Sequence, residues 1–335
     1  MISGHHIGWL SRLVVLAAWV LCGIASGWAQ DKVSLRLPFI ASGEHGPFYL
    51  ALDKGHYREE GLTVQILRGF GSGDTIKRVS AGADTFGFAD FHTVVKGIAE
   101  GARVRAIGAG TADSIGCIVA LSKSGIRKPK DLEGRSVGTP PPGSAFTLQL
   151  PTVLQAAGVD PARVKVVIMD IVLKSSALVA GKVDAITCAF TSEPPAFRSQ
   201  GLEIVVFDYR DFMDIMGTGI IASQSLIQQQ PELIRKFLRA TYRGARDFSR
   251  DQASVAPIMV RYHPEGDAGT YAGGAVASLS LWASPVAKRA GFGWMDEVKM
   301  RNTVEQATRD FKLTRRIEAA EFYTNEFVPV PAIKP

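Results

Sequence analysis

The sequence predicts an α/β protein whose two lobes close on one another like a clamshell. Segments typical of strands and helices alternate from residue 34 to residue 207, and the alternation starts afresh near residue 117. From residue 220 onwards the pattern is mainly helical. Because alternating strands and helices typically form a parallel sheet covered by helices, we expect a mainly parallel sheet flanked by helices in each lobe.

The first 29 residues are predicted to be a signal peptide. Arg12 precedes an apolar run at residues 13–25, which is shorter than the roughly 20 residues that a membrane-spanning helix needs. Small residues at Gly27 and Ala29 indicate cleavage after Ala29. A lipoprotein anchored at Cys22 and an uncleaved N-terminal anchor are open alternatives. The mature protein is therefore expected in the periplasm.

The length of the remaining chain, about 305 residues, exceeds what one hydrophobic core usually supports. We expect residues 30–115 to form the first part of lobe 1 and residues 116–215 to form lobe 2. Residues 216–335 are expected to be a mainly helical return segment that packs on both lobes and completes lobe 1. Hinges are expected near residues 111–116 and 207–218.

Composition and charge narrow the possible partners. The chain is 46% hydrophobic and 21% charged, and its formal net charge of +6 falls to +5 when Arg12 leaves with the signal peptide. The positive charge is spread along the chain without a Lys/Arg cluster, which argues against nucleic-acid binding. Of the three cysteines, Cys22 lies in the signal peptide. Cys117 and Cys188 lie in apolar strand-like runs and are expected to be buried free thiols, with a disulfide as the open alternative.

The opening unit predicts where a ligand would bind. Residues 35–39 alternate as in a strand, Pro47 suits the first turn of a helix, and residues 62–66 alternate as in a second strand. A strand–helix–strand unit makes its two strands parallel, which places the loop at residues 42–47 at the carboxyl edge of the sheet. Ligands of open α/β sheets bind at that edge.

Further elements follow the same rule. Strands are predicted at residues 85–88, 104–107, 117–121, 136–138, 164–168, 185–188 and 204–207. Helices are predicted at residues 75–81, 93–100, 174–180, 231–249, 254–262, 270–281, 295–310 and 315–321, and another begins at Ser144 and is expected to kink or restart at Pro151. No strand is expected between the helices after residue 220.

Five segments in this order resemble one protein family. They are residues 45–66, 83–90 (ADTFGFAD), 128–138 (KPKDLEGRSVG), 180–185 (AGKVDA) with Glu193-Pro194, and 324–327 (TNEF). The chain resembles the periplasmic solute-binding proteins of ABC importers, in the branch that serves sulfonates, nitrate, taurine and thiamine-pyrimidine precursors. The resemblance implies a type II periplasmic binding protein fold, a monomer, a small-molecule ligand, and delivery to a membrane permease and its ATPase. It implies no catalytic residue, cofactor or metal.

One departure from the family concerns the ligand. Pyrimidine-binding members usually carry Asp-Trp-x-Pro after the first strand, whereas this chain has Leu37-Pro38-Phe39-Ile40. A stacking surface would have to come from Phe39, Phe48, Tyr49 or Phe91.

The candidate ligand-binding residues lie in loops that precede helices. Helix N-termini, short hydroxyls and glycines that allow close backbone approach are suited to a small polar or anionic solute. The candidates are Ser42, Glu44, His45, Gly71, Ser72, Gly73, Asp90, Phe91, His92, Thr139, Ser144, Thr191 and Glu193.

Several candidates have a structural alternative. His45 is as well explained by capping the helix at Pro47, and Asp90 by capping the helix after it. The Gly71-Ser72-Gly73 loop is also explained as a tight turn, and Glu193 as a salt-bridge partner.

Two rival functions are open. A related branch of the family synthesises the thiamine pyrimidine, and the resemblance implies that such an enzyme needs clustered cysteines for iron and a lysine-bound pyridoxal phosphate. This chain has no cysteine cluster, no Gly-x-Ser-x-Gly elbow and no dinucleotide fingerprint. A periplasmic sensor that presents its solute to a receptor would need the same clamshell as an importer component.

Overall fold

The computed structural model describes residues 30–335, and the predicted signal peptide lies outside them. Two five-stranded mixed sheets flanked by helices form the two lobes. The strands are β1 Asp31–Arg36, β2 Leu62–Leu67, β3 Phe86–Asp90, β4 Val104–Ala109, β5 Gly116–Leu121, β6 Ser136–Thr139, β7 Lys165–Ile168, β8 Ala185–Ala189, β9 Ile204–Asp208 and β10 Thr218–Ser223.

The helices cover both faces of the sheets. They are α1 Gly46–Asp53, α2 His56–Glu59, α3 Ser72–Ser80, α4 Phe91–Ala99, α5 Ala145–Ala156, α6 Lys174–Val179, α7 Glu193–Ser199, α8 Gln224–Gln229, α9 Pro231–Arg250, α10 Val255–Tyr262, α11 Ala268–Trp282, α12 Pro285–Ala290, α13 Glu297–Asp310 and α14 Ala319–Phe322. Within residues 30–335, no helix combines the length and the hydropathy needed to cross a membrane.

Each sheet is parallel except around one inserted strand. In lobe 1 the order is β2-β1-β3-β10-β4, and β1 pairs in parallel with β2 and β3, as the opening unit predicts. In lobe 2 the order is β7-β6-β8-β5-β9, with β6 parallel to both of its neighbours. β10 and β5 run antiparallel to the strands beside them.

The strand β10, which precedes the helices of the return segment, is not predicted from the sequence. This strand returns from lobe 2 and inserts between β3 and β4, so the return segment completes the lobe 1 sheet with a strand as well as with helices. Ile220 and Ala222 face one core, whereas Ile221 faces the other. Because every residue of β10 is buried, the strand lacks the polar alternation that marks a half-exposed strand.

The prediction of two free thiols is also wrong. Cys117 of β5 and Cys188 of β8 lie directly opposite one another in an antiparallel pair, with their Cα atoms 5.0 Å apart, and form a disulfide. The two residues are 71 positions apart in sequence, so only the strand pairing reveals that they meet.

Three helices differ from the predictions. The opening helix divides into α1 and α2 at Gly55, whose φ of 77° is a left-handed conformation. α5 continues through Pro151, so the predicted restart is wrong; Leu150 and Val153, on either side of the proline, are both buried. The helix predicted at residues 315–321 shortens to α14.

Candidate functional site

The candidate site lies where the two lobes meet, and hydrogen bonds join them there. The Thr191 hydroxyl of lobe 2 donates to Glu44 Oε2 of lobe 1 at 3.1 Å, and Gln149 Nε2 donates to Asp90 Oδ2 at 3.0 Å. The backbone N–H of Gly73 donates to the carbonyl of Gly143 at 3.1 Å. The structure therefore shows the lobes closed on one another.

Glu44 presents a buried carboxyl group to the cleft. Its backbone carbonyl accepts a hydrogen bond from Trp282 Nε1 at 3.0 Å, which fixes the loop before α1. Oε2 is bonded to Thr191, whereas Oε1 is buried without a hydrogen-bond partner. Burial raises the pKa of Glu44 from 4.5 to about 7, which the Thr191 hydrogen bond partly opposes. Near neutral pH the group can accept a hydrogen bond or donate one.

His45 is neutral and presents a hydrogen-bond donor. The backbone N–H of Ser42 donates to His45 Nδ1 at 3.0 Å, so the neutral ring carries its proton on Nε2. Nε2 is buried and has no partner. Burial lowers the pKa of His45 to about 3. His45 therefore closes the Ser42 loop and keeps one donor free, but its side chain makes no capping bond to the helix that begins at Gly46, so the predicted capping role is wrong.

Asp90 caps α4 and bonds to lobe 2 with its second oxygen. Oδ1 accepts from the backbone N–H of Thr93 at 2.8 Å, while Oδ2 accepts from Gln149. Burial raises the pKa of Asp90. Both oxygens are thus occupied while the lobes are closed, and the helix-cap alternative is confirmed.

The Gly-Ser-Gly loop forms part of the contact between the lobes. A Cβ atom on Gly71 or on Gly73 would lie 3.2 Å from the carbonyl oxygen of Gly143. The Ser72 hydroxyl accepts a hydrogen bond from the backbone N–H of Asp90 at 3.1 Å. The two glycines therefore allow lobe 2 to approach lobe 1 closely.

Lobe 2 contributes one free hydroxyl group. Ser144 precedes α5, is 3% exposed, and its Oγ has no hydrogen-bond partner. The Thr139 hydroxyl is shared with Thr147 and Thr187 at 2.8 and 2.9 Å, so it supports the lobe from within.

Three of the predicted ligand-binding residues make contacts within one lobe instead of facing the cleft. Phe91 packs in the lobe 1 core against Phe322. His92 Nε2 contacts Asp310 Oδ2 of α13 at 2.8 Å. Glu193 accepts from Lys174 Nζ at 3.0 Å and from the backbone N–H of Ala189 at 3.1 Å, so it is the salt-bridge partner that the alternative predicted.

Sequence reasoning missed two cleft residues of lobe 2. Gln149 lies between Phe146 and Leu150 on the buried face of α5, and a lone amide on an apolar helix face is a signal that could have been used. Phe146 stacks against Phe39 of lobe 1 with ring centroids 5.7 Å apart and planes inclined by 18°. Its partner across the cleft could not be inferred from sequence spacing.

A cavity of about 130 Å³ lies at the mouth of the cleft. It is lined by Phe39, Ile40, Arg68, Gly69, Phe70, Pro140, Pro141, Ser144, Asp170 and Ile171. Its walls come from both lobes and are mostly apolar, with the Ser144 hydroxyl group among them.

Comparison with known proteins gives the family. The model of the NMT1/THI5 like family matches residues 42–254, which include the loop at Glu44, the Gly-Ser-Gly loop and all of lobe 2. The chain belongs to this family. Family and fold together make it a protein of the periplasmic-binding type that binds a small ligand.

Related proteins include both binders and enzymes. The riboflavin-binding protein RibY of Chloroflexus aurantiacus is 26% identical, over 89% of this chain and 86% of its own length. The formylaminopyrimidine-binding protein of Halalkalibacterium halodurans is 24% identical, over 73% and 74%. A 4-amino-5-hydroxymethyl-2-methylpyrimidine phosphate synthase of Legionella pneumophila is 26% identical, over 70% and 75%.

Solved structures share the fold. A Bordetella bronchiseptica protein superposes with a TM-score of 0.72 at 20% identity, covering 89% of this chain and 96% of the other. The alkanesulfonate-binding protein SsuA of Xanthomonas axonopodis, bound to MOPS, superposes with a TM-score of 0.66 at 15% identity, covering 88% and 98%. These likenesses establish the two-lobed periplasmic binding protein fold.

Proposed function

We propose that this protein is the extracytoplasmic solute-binding component of an ABC importer, and that it captures a small, uncharged heteroaromatic solute by closing its cleft. The observation that carries the proposal is a set of buried polar atoms without partners. They are Glu44 Oε1, on the carboxyl group that bonds to Thr191 of lobe 2, His45 Nε2 in the next residue, and Ser144 Oγ in the wall of the cavity between the lobes. Buried polar groups are nearly always hydrogen-bonded in native proteins, so these atoms indicate where a ligand supplies the missing partners.

The sequence predicted a small polar or anionic solute, and the charges at the cleft favour an uncharged polar solute over an anion. Among the described residues around the site, Lys174 is neutralised by Glu193, and Arg68 lies at the exposed mouth over the ring of Phe70. An anion would instead meet the Glu44 carboxyl group. A heterocycle with one acceptor and one donor edge would match His45 Nε2–H and Glu44 Oε1.

The relatives support this choice of solute. RibY and the formylaminopyrimidine-binding protein are named for planar nitrogen heterocycles. Delivery to a permease and a periplasmic location are part of the proposal. The Cys117–Cys188 disulfide supports that location, because disulfides persist in oxidising compartments.

A synthase of the thiamine pyrimidine is the second candidate, since relatives carry that name. The residues present do not fit the iron and pyridoxal phosphate that the enzyme branch implies. Cys117 and Cys188 are bonded to each other, and residues 30–335 contain no group of three or more His, Cys, Asp or Glu side chains placed to hold a metal. The buried amine of Lys174 is held by Glu193 and by the Thr187 carbonyl.

A thermal-shift screen tests the proposal. The panel comprises riboflavin, formylaminopyrimidine, taurine, an aliphatic sulfonate, nitrate and a carboxylate. A true ligand at about 100 times its dissociation constant stabilises a protein by roughly 2.7 kcal/mol. We expect a heterocycle to raise the melting temperature and the anions to leave it unchanged. Turnover of a panel member, or stabilisation by the anions alone, would contradict the proposal.

A further inference from the structure

The chain passes between the lobes at two points that lie side by side. At the first point, Thr111 is bonded to Thr218 of β10 in lobe 1, since its N–H donates to the Thr218 carbonyl at 2.8 Å. Ser114 instead donates its hydroxyl to Gln149 Oε1 of α5 in lobe 2 at 3.3 Å. Asp113 therefore lies where the first segment leaves lobe 1.

At the second point, the change of lobe falls between two neighbouring residues. Met213 and Ile215 pack in the core of lobe 2, whereas Met216 packs in a core of lobe 1. The backbone N–H of Met216 donates to Thr303 Oγ1 of α13 at 2.9 Å. Asp214, which lies between Met213 and Ile215, therefore belongs to lobe 2.

Helix α13 reaches Asp214 from lobe 1. Met300 and Ala307 of this helix pack in the core of lobe 1. Lys299 Nζ lies 3.7 Å from Asp214 Oδ1, and Asn302 Nδ2 donates to Asp214 Oδ2 at 3.1 Å. Each oxygen of this lobe 2 carboxylate thus contacts a side chain of lobe 1.

Lobe 1 also holds the Lys299 ammonium group in place. Nζ donates to the carbonyl of Ala112 at 3.2 Å and to the Asp113 carboxylate. The side chain of Lys299 is 24% exposed, whereas that of Asp214 is 71% exposed. The contact therefore joins a fixed cation to a carboxylate that solvent reaches, and such ion pairs weaken as salt is added.

We propose that Asp214, Lys299 and Asn302 form a hinge strap, a polar contact across the change of lobe that favours the closed lobes before any solute binds. When the lobes open, Asp214 turns with lobe 2 while Lys299 and Asn302 stay with lobe 1, so the contact is lost. The inference goes beyond the proposed function, because it concerns the balance of open and closed forms without ligand.

The hinge strap affects capture by changing how much of the protein is already closed. A solute that binds the closed form binds more tightly when a larger fraction of the protein is closed beforehand. Because salt weakens the contact, the surrounding ionic strength changes that fraction.

Spin labels on the two lobes test the hinge strap in protein without ligand. Helices α3 and α6 begin within three residues of the cavity at the mouth of the cleft, one in each lobe. Labels attached after Lys77→Cys in α3 and Ser176→Cys in α6, both exposed positions, move apart when the lobes open. Cys117 and Cys188 are bonded to each other and take no label. Pulsed electron paramagnetic resonance then gives the ratio of closed to open protein.

We expect Lys299→Met and Asp214→Asn each to lower the ratio of closed to open protein about two- to fivefold, the range for an exposed ion pair. High salt should lower the ratio in wild type and change it less in the variants. The matched control is Arg316→Met, which removes an ion pair with Glu318 inside the return segment, 2.9 Å long, and should leave the ratio unchanged. Melting curves show that each variant is folded.

The outcomes separate the hinge strap from the proposed function. A ratio that is unchanged or higher in both variants would overturn the strap, and so would a ratio in wild type that does not respond to salt. If no solute in the thermal-shift panel binds, the proposed function fails, whereas the strap stands or falls by label distances measured without ligand.

Discussion

Glu44 and His45 are sequence neighbours whose burial shifts their pKa values in opposite directions. The folded pKa of Glu44 is about 7 against 4.5 in the unfolded chain, so the folded state holds this proton longer. The folded pKa of His45 is about 3 against 6.5, so the folded state loses this proton earlier. The contribution of Glu44 to the free energy of unfolding is therefore lost as pH rises from 4.5 to 7. The contribution of His45 is lost as pH falls from 6.5 to 3.

Replacing Glu44 shows how much of the pH dependence of the unfolding free energy comes from this residue. Glu44→Gln keeps an acceptor for Thr191 but removes the titration. We expect the variant to gain stability relative to wild type by about 3 kcal/mol as pH rises from 4.5 to 7. Urea unfolding at several pH values measures the difference. His45→Gln should show the opposite trend between pH 3 and 6.5, and a difference for Glu44→Gln that does not vary with pH would contradict the assigned burial.

The sequence predicted several of these residues but not which of them meet. Glu44, His45, Asp90 and Ser144 could be identified because they lie in loops before helices at the carboxyl edges of strands. Thr191 was a candidate too, but its contact with Glu44 could not be predicted, since the two residues are 147 positions apart in the chain. Burial of Phe91 and pairing of His92 with α13 depend on how the return segment packs, which no local pattern reveals.

Helix α11 is the element that brings the return segment against both lobes. Trp282 at its end bonds to Glu44 of lobe 1, and Gly273 packs against Pro195 of lobe 2. A Cβ atom on Gly274 would lie 2.4 Å from the Thr191 carbonyl oxygen and 3.2 Å from the backbone nitrogen of Gly43. Glycine is therefore required where three backbones meet.

A methyl group at this contact should hold the lobes apart. Gly274→Ala is expected to destabilise the protein by about 1–3 kcal/mol through overpacking, and to increase the radius of gyration measured by X-ray scattering. Gly269→Ala is the control in the same helix. There the nearest atom, 3.3 Å from a Cβ, is a side-chain oxygen of Asp267, and alanine should be neutral or stabilise the helix by up to about 1 kcal/mol. Equal effects of the two substitutions would contradict the close-contact account.

The disulfide is a second contact between elements of secondary structure, since it joins β5 to β8 in lobe 2. Its loop spans 71 residues, and constraining a loop of that length in the unfolded chain stabilises by about 4 kcal/mol in the chain-entropy model. Cys117→Ala with Cys188→Ala should therefore lower the unfolding free energy by about that amount, as measured by urea unfolding. Unchanged stability on replacing both cysteines would show that the bridge does not form.

Most elements could be predicted because their patterns are local. The strand–helix alternation predicted nine strands, all except β10, with ends within about four residues of those observed, and the long return helices. β10 was not predicted because both of its faces are buried. The disulfide was not predicted because the order of strands in a sheet is not a local property of the sequence. The mixed character of both sheets follows from the same two antiparallel strands, β10 and β5.

At the scale of the whole molecule, two chain segments connect the lobes. They are residues 110–115 and 209–217. They lie side by side near lobe 1, where the backbone N–H of Thr218, directly after the second segment, donates to Thr111 Oγ1 of the first at 2.8 Å. Two adjacent connections allow the lobes to turn about one axis while the sheets stay intact. The predicted lobe limits and hinges fall close to these segments and stay predictions.

In the closed form no protein group bonds to Glu44 Oε1, His45 Nε2 or Ser144 Oγ, and a buried polar atom that stays unpaired is unfavourable. A solute that supplies those partners therefore favours the closed form, whereas a solute that binds both forms equally does not shift the balance. A balance between open and closed forms that depends on the ligand distinguishes a solute-binding protein from a rigid two-lobed protein.

Equilibrium dialysis of residues 30–335 against riboflavin or formylaminopyrimidine, with chromatography of the recovered solute, tests the central claim most directly. The account predicts that one of these planar heterocycles binds at one molecule per chain and is recovered unchanged. Recovery of a converted product, or no retention of either heterocycle by folded protein, would contradict it.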